Sequence, residues 1–271
     1  TDNQNFSTPD GEVENTWLQE YDFQGGLKYE SEKFSSDLRL SVNISELGIP
    51  EGEEGHDDHD DHEGHDDHDD HEGHDDHEGH YQELSHTMLT WKNNFDLGNN
   101  HDLEITLGRQ FNERKEFGGH GEEEGHEGHD DHDDHDDHGH GGSGAELDMD
   151  LTTNTIDIAL TMPQSDNFNM ILGSNILSQE NKNFGFEELI PDADMNDFGV
   201  YGLGQITMEN GSALIGLRYD SRSITSEKGS ADFSNFNGSI GLKRDLGNAS
   251  LRLNLGSGYR APNLIELFAE G

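Results

Sequence analysis

Apolar and polar residues alternate along most of the chain from residue 17 onward. Leu38, Leu40 and Val42 are separated by Arg39 and Ser41. This period of two is that of a β-strand with one apolar and one polar face. The same pattern recurs at Leu103, Ile105 and Leu107; at Leu147, Met149 and Leu151; at Ile156, Ile158 and Leu160; at Ile215, Leu217 and Tyr219; and at Leu251, Leu253 and Leu255. No helical period lasts longer than a turn, so the pattern predicts an all-β fold.

The alternating stretches predict ten strands, and their lengths bear on the fold class. Strands average about five or six residues in soluble proteins, whereas a tilted strand that crosses a membrane needs about nine to eleven. The predicted strands meet the second requirement, which favours an antiparallel up-and-down transmembrane β-barrel. A soluble β-sandwich remains the alternative, because its strands also alternate. The predicted strands are 17–29, 33–45, 81–95, 102–115, 145–162, 168–180, 196–208, 212–224, 232–245 and 249–260.

The connections between these strands alternate between short and long. In outer-membrane barrels the short turns lie on the periplasmic rim and the long loops on the extracellular rim. We therefore expect all the long connections on one rim, facing the outside of the cell. The short connections are 30–32, 96–101, 163–167, 209–211 and 246–248, and the long ones are 46–80, 116–144, 181–195 and 225–231.

Two of the long connections carry runs of histidine and acidic residues. We call residues 51–80 the first run and residues 116–140 the second run. The first run holds nine histidines at a strict spacing of three among 16 carboxylates, and the second holds seven among 11. The histidines are His56, His59, His62, His65, His68, His71, His74, His77 and His80, and then His120, His126, His129, His132, His135, His138 and His140.

The composition of the runs predicts metal binding rather than packing. They contain almost no apolar side chain, so burial cannot offset the entropy of ordering them, and we expect two disordered loops in the absence of metal. Imidazole suits zinc, nickel and other divalent transition metals, and carboxylate adds charge and hard oxygen. Copper(I) is disfavoured because the chain has no Cys and the runs have no Met. A solvated acidic loop, the simpler interpretation, would not need imidazole. We predict zinc, with nickel or another divalent transition metal open.

Charge and composition narrow the classes of partner. The 271-residue chain has a formal net charge of −45, of which the two runs supply −27 because they contain no Lys or Arg. The remainder is acidic but ordinary for a folded protein. The charge disfavours a nucleic-acid partner, since the phosphate backbone would be repelled. The chain has no run of eighteen apolar residues, and residues 1–16 read as a polar loop, not a signal peptide. No catalytic constellation is visible, so we predict no enzymatic activity.

One motif near the end of the chain carries a family resemblance. Residues 258–268 read GYRAPNLIELF. They closely resemble the G-[FY]-R-A-P-x-x-x-E-L-[FY] signature of TonB-dependent outer-membrane receptors. The residues that match are Gly258, Tyr259, Arg260, Ala261, Pro262, Glu266, Leu267 and Phe268.

A second, shorter motif narrows the resemblance. The tripeptide Gly48-Ile49-Pro50 leads into the first run, and this looks like the zinc-uptake members, whose barrel strand ends in such a turn before a His-rich extracellular loop. The resemblance implies a plugged barrel of about 22 strands, of which residues 1–271 supply part. It also implies coupling to the TonB complex through a region outside this chain, with a plug domain and further strands elsewhere.

Several other side chains have ordinary explanations. His86 and His101 are expected to be ordinary rim or lumen residues. A lumen-facing histidine could instead form a second metal-binding site after the runs. Arg260 is expected to pair with carboxylates inside the barrel. The aromatic residues that could form interfacial girdles, or simply pack on the strands, are Trp17, Tyr21, Tyr81 and Trp91. Two alternative functions stay open: a surface protein that buffers metal or mediates adhesion without transport, and a receptor for a metal chelate.

Overall fold

A computed structural model of the chain describes residues 2–9, 11–50, 80–118 and 144–268. These residues form thirteen strands and one short helix. The elements are β1 (Asp2–Asn3), β2 (Phe6–Thr8), β3 (Gly11–Val13), β4 (Leu18–Glu30), β5 (Phe34–Gly48), β6 (Tyr81–Gly98), β7 (His101–Phe117), β8 (Leu147–Ser165), β9 (Phe168–Asn183), β10 (Ala193–Met208), β11 (Gly211–Ser226), β12 (Gly229–Asp245), β13 (Ser250–Gly256) and α1 (Leu264–Phe268).

The long strands form one sheet in which each strand pairs with the next in sequence. The order is β1-β4-β5-β6-β7-β8-β9-β10-β11-β12-β13, and β2 and β3 form a separate small sheet. All these strand pairs are antiparallel. The predicted antiparallel up-and-down wall is therefore confirmed, and within the described residues it is an open sheet with β1 and β13 at its edges.

All ten predicted strands are present, with ends displaced by at most four residues. The structure differs from the prediction in five details. The tenth strand ends at Gly256, not at residue 260, and α1 follows in a stretch where strands alone were expected. Residues 225–231 are not a long connection: Ser226 lies opposite Gly229, so only a two-residue turn joins β11 and β12. The N-terminal loop contains three short strands, and an isolated parallel bridge links Leu147 to Glu187.

The two-residue turn and the short-turn rim depend on backbone conformations that few residues adopt. Gly229 has a φ of +146°, which a side chain would disfavour. Between β6 and β7, Asn99 and Asn100 have φ values of 54° and 59°, the signature of a type I′ hairpin turn. Asn and Gly adopt positive φ more readily than other residues, and the sequence shows where they occur. This explains why most of the short connections were predicted correctly.

The two faces of the sheet differ in chemistry, as the alternation requires. On β11, Ile215, Leu217 and Tyr219 lie on one face and are 41–51% exposed. Arg218 and Asp220 lie on the other face, where they form an ion pair at 2.6 Å. We call these the apolar face and the polar face. An exposed apolar face across a whole sheet fits a wall that contacts lipid, with the polar face lining the barrel interior.

The described residues contain only a small conventional core, and it lies on the polar face near the long-loop rim. Its buried members are Ile190, Ala193, Met195, Ile224 and Leu264. No described helix has the length and hydropathy needed to span a membrane. Within the described residues, the sheet is thus held together mainly by the hydrogen bonds between its strands. Its apolar face is not covered by other described parts of the chain, as expected for a face that contacts lipid.

Candidate functional site

The described residues that flank the first run come together at one point on the rim of the sheet, where β5 ends and β6 begins. We call this point the first neck, residues 48–50 and 80–81. The backbone N–H of Ile49 donates to the carbonyl oxygen of His80 at 2.7 Å. The side-chain Nδ2 of Asn15 donates to the same carbonyl at 2.5 Å and to that of Ile49 at 2.7 Å. The neck is therefore closed by three hydrogen bonds, and no sequence pattern singled out Asn15.

The second run leaves the sheet at a similar point, the second neck, residues 116–118 and 144–147. The backbone N–H of Glu146 donates to the carbonyl oxygen of Glu116 at 2.9 Å. Glu187, in the connection between β9 and β10, donates its backbone N–H to the carbonyl oxygen of Glu146 at 2.8 Å. This neighbouring connection braces the second neck.

The two necks are adjacent on the same rim. Tyr81 of the first neck lies opposite Phe117 of the second in the β6–β7 ladder, and their rings stack with centroids 4.6 Å apart. Trp17 extends the aromatic row, with its ring centroid 6.3 Å from that of Tyr81. Both runs are therefore attached to the same rim, as predicted, about two strand spacings or roughly 10 Å apart.

Most of the predicted metal-binding histidines lie outside the described residues. His80 is within them, at the first neck, where its carbonyl oxygen accepts the hydrogen bonds described above. The role of the other fifteen as metal ligands stays a prediction. They are His56, His59, His62, His65, His68, His71, His74, His77, His120, His126, His129, His132, His135, His138 and His140.

Three carboxylates gather beside the second neck. Among the described residues, Glu113, Asp148 and Asp150 form the group of three whose ligand oxygens all lie within 4.8 Å of one another. Lys115 forms an ion pair with Glu113 at 2.7 Å, so part of the charge is already balanced. The group adds to the negative potential at the foot of the second run.

The polar face below the first neck carries a histidine. His86 lies opposite Asn43 in the β5–β6 ladder and opposite Asn112 in the β6–β7 ladder. Its Nδ1 is hydrogen-bonded to Oδ1 of Asn112. On the other side of the row, Nδ2 of Asn43 donates to Oε1 of Glu20 at 3.0 Å and to Oδ1 of Asp22 at 2.8 Å. An imidazole on β6 and two carboxylates on β4 thus lie on the same face, with Asn43 of β5 between them. His101, by contrast, lies at the short-turn rim.

The signature motif does not continue the sheet. We call residues 258–268 the motif segment. Arg260 pairs with Glu266, another residue of the motif, and its side chain is 73% exposed. It therefore pairs with a carboxylate as predicted, but within the motif and not with the barrel wall. The backbone N–H of Asn263 donates to Oε2 of Glu266 at 3.0 Å, and that of Glu266 donates to Oδ1 of Asn263 at 2.8 Å. These hydrogen bonds form a capping box that starts α1.

The motif segment is tied to the polar face by one arginine and one leucine. Arg222 of β11 forms a two-pronged ion pair with Asp197 at 2.6 and 2.5 Å, and its Nη1 donates to the carbonyl oxygen of Pro262 at 3.1 Å. Leu264 is 5% exposed and packs against the core that includes Ile224. These contacts hold the chain over the polar face and explain why β13 ends early. Only the strand register brings Asp197 and Arg222 together, so the sequence did not reveal the pair.

Comparison with known proteins decides the family. Residues 14–271 match the model of the family described as "TonB dependent receptor-like, beta-barrel". The chain belongs to this family. TonB-dependent receptors are proteins of the Gram-negative outer membrane, and the match covers nearly all of the chain. The sequence-based assignment to TonB-dependent receptors is confirmed. The zinc-uptake type stays a prediction, because the family description names no cargo.

Solved TonB-dependent receptors share the fold at low sequence identity. The FrpB iron transporter from Neisseria meningitidis is 15% identical, with a TM-score of 0.66 over 97% of this chain and 40% of that one. The copper transporter OprC is 13% identical, with a TM-score of 0.67 over 98% and 41%. The ferric citrate transporter FecA is 10% identical, with a TM-score of 0.56 over 89% and 36%. No curated protein sequence matches the chain.

Low identity and partial coverage limit these likenesses to the fold. The chain spans about 40% of the length of FrpB. FrpB, OprC and FecA are each named as transporters. Cargo, partners and the orientation of the loops are therefore matters for proposal.

Proposed function

We propose that the chain is part of an outer-membrane TonB-dependent receptor that takes up divalent transition-metal ions, with zinc as the first candidate and nickel as the second. The observation that supports the proposal is that the two necks, at which the His-rich runs are attached, are adjacent on one rim. Family membership supports the outer-membrane location and coupling to the TonB complex. The rim asymmetry supports an extracellular position for the runs.

The proposed role of the runs is to collect metal above the barrel. Their dense negative charge raises the local cation concentration and the rate of capture. Imidazole then selects transition metals over calcium and magnesium, which prefer oxygen ligands. A flexible 30-residue segment has a root-mean-square span of about 30 Å, three times the roughly 10 Å between the necks. The two runs would therefore occupy overlapping space above the barrel. An ion could then move inward by exchange among the many weak sites that the histidines and carboxylates provide.

A second candidate function is uptake of a metal chelate. It is favoured by the fold match to a ferric citrate transporter, which is named for such a cargo. In that case the runs would be ancillary, and bare zinc would not be the transported species. A surface protein that only buffers metal or mediates adhesion is a third possibility, and family membership weighs against it.

The test is zinc uptake measured against zinc concentration in cells that make equal surface amounts of receptor. Deleting both runs is expected to slow uptake when zinc is limiting and to matter little when zinc is plentiful. At high concentration, zinc fills the transport site without first being captured by the runs. Exchanging every run histidine for Asn keeps length and charge and should have the same effect. Exchanging Arg260 or Pro262 should lower uptake at every concentration.

Three outcomes would change the proposal. Uptake curves that coincide at limiting zinc would remove the collecting role of the runs. Complete loss of uptake at saturating zinc would show that the runs hold the transport site itself. Uptake only of a zinc chelate, and never of free zinc, would favour the second candidate function.

A further inference from the structure

The polar face offers an imidazole nitrogen that is ready to bind metal. Oδ1 of Asn112 is an acceptor, and Nε2 of Gln110 also approaches it at 3.5 Å. Nδ1 of His86 must therefore carry the proton of its bond to Asn112, which leaves the lone pair of the neutral ring on Nε2. Metal-binding histidines commonly donate their other ring N–H in this way, because the bond sets the tautomer and the ring orientation.

The Nε2 atom of His86 is left unoccupied by the described residues. In the part of the chain that the structure describes, it has no hydrogen-bond partner. The described side-chain atoms that are both buried and unpartnered belong to Arg114, Asn181 and Asn183. The Nε2 atom is not among them, so it is not fully buried, and His86 as a whole is half-buried on the polar face.

Negative charge lies in the same cross-strand row. Asp22 is opposite Asn43, which is opposite His86. The amide nitrogen of Asn43 donates hydrogen bonds to the carboxylates of Glu20 and Asp22. Four basic residues on the polar face of β4–β7 are engaged elsewhere. The pairs are Lys28 with Glu30, Arg39 with Asp37, Lys92 with Glu104 and Arg114 with Glu116. Within residues 2–9, 11–50, 80–118 and 144–268, no Lys or Arg pairs with Asp22.

We propose that His86 is a lumenal ligand for the transition-metal cargo, with Nε2 binding the ion and Asp22, two strands away in the same cross-strand row, adding negative charge. This inference rests on the proposed function and adds to it a metal-binding residue inside the barrel, below the first run. His86 lies six residues along β6 from the last histidine of the first run, about 20 Å at the rise of a strand. One imidazole with carboxylate support binds weakly enough to release the ion inward, as a conducting path requires.

Histidine footprinting of the intact receptor tests the inference site by site. Diethyl pyrocarbonate modifies accessible neutral imidazole, and mass spectrometry then reads each peptide separately. Zinc is expected to protect His86, whereas calcium and magnesium are not. His101, at the opposite rim, is the internal control and should stay reactive. Exchanging Asn112 for Leu removes the hydrogen bond that sets the tautomer, and should raise the zinc concentration needed for protection by about tenfold or more.

The footprint separates this inference from the proposed function. Protection of the run peptides with unchanged reactivity at His86 would overturn the inference alone. Unprotected run peptides would overturn the collecting role. A His86 that is unreactive in metal-free receptor would also refute the inference, because Nε2 would then be closed to the lumen. In uptake assays with plentiful zinc, His86→Ala should lower the maximal rate while His101→Ala should not.

Discussion

Leu264 anchors the motif segment to the barrel wall, and its truncation is the sharpest test of how the family motif works. The residue is 5% exposed and packs in the core with Ile190, Ala193, Met195 and Ile224. Its neighbour Ile265 is 53% exposed on the same short helix. The two side chains are isomers in a similar helix context, so Ile265→Ala is a matched control for Leu264→Ala.

The magnitude follows from burial. Truncating a buried Leu to Ala costs about 2–5 kcal/mol, and a peripheral site that can collapse falls at the low end. A loss of about 2–3 kcal/mol raises the population of undocked motif segment roughly 30- to 150-fold. The exposed Ile265 has little contact to lose, so its truncation should change that population only a few-fold.

Amide hydrogen exchange of the intact receptor in detergent measures this population. Residues 257–268 should exchange faster by the factor above in Leu264→Ala, while the strands β5–β9 keep their protection. Resistance of the barrel to unfolding in detergent gels should be retained, since the sheet itself is untouched. Equal acceleration in both variants would refute the anchoring role. Loss of protection across the whole sheet would show that the motif segment holds the wall together.

Three further predictions address the necks and the ionisable groups. Calorimetry should show zinc and nickel binding to the runs, weakening as pH falls toward the ordinary imidazole pKa of about 6.5, because the ring must be neutral to bind; equal affinity for calcium would exclude imidazole as the selector. Asn15→Ala removes two hydrogen bonds at the first neck and should speed amide exchange at Ile49 by about tenfold; unchanged exchange would show that the neck does not need Asn15. The hydrogen bond from the Asn263 backbone, and then the Arg260 guanidinium, lower the pKa of Glu266 below its ordinary 4.5. Stability from this group is therefore complete above that pH and lost as pH falls through the depressed pKa. The protection of α1 should weaken in acid in the native chain but not in Glu266→Gln, and identical acid responses would contradict the capping role.

Local patterns in the sequence determined the class of fold. Alternation at Leu38, Leu40 and Val42 depends only on the two-residue repeat of a strand, so it located the ten long strands without knowledge of their partners. The Asn and Gly residues of the short turns have backbone preferences of their own. The family motif was also legible, because it is a contiguous stretch of the chain.

The tertiary structure decided which distant residues meet. Strand register joins Arg222 to Asp197 and aligns His86 with Asn112 and Asp22. Segments outside the strands bring Asn15 to the first neck and Pro262 to Arg222. Register depends on pairing across the whole sheet, and no single strand encodes it. The turn at Gly229 shows the same limit, since the length of a connection depends on how far two strands remain paired. The sequence by itself therefore determined the chemistry that is available. The tertiary structure determined where that chemistry acts, because strand register and the packing of the connecting segments set which side chains meet.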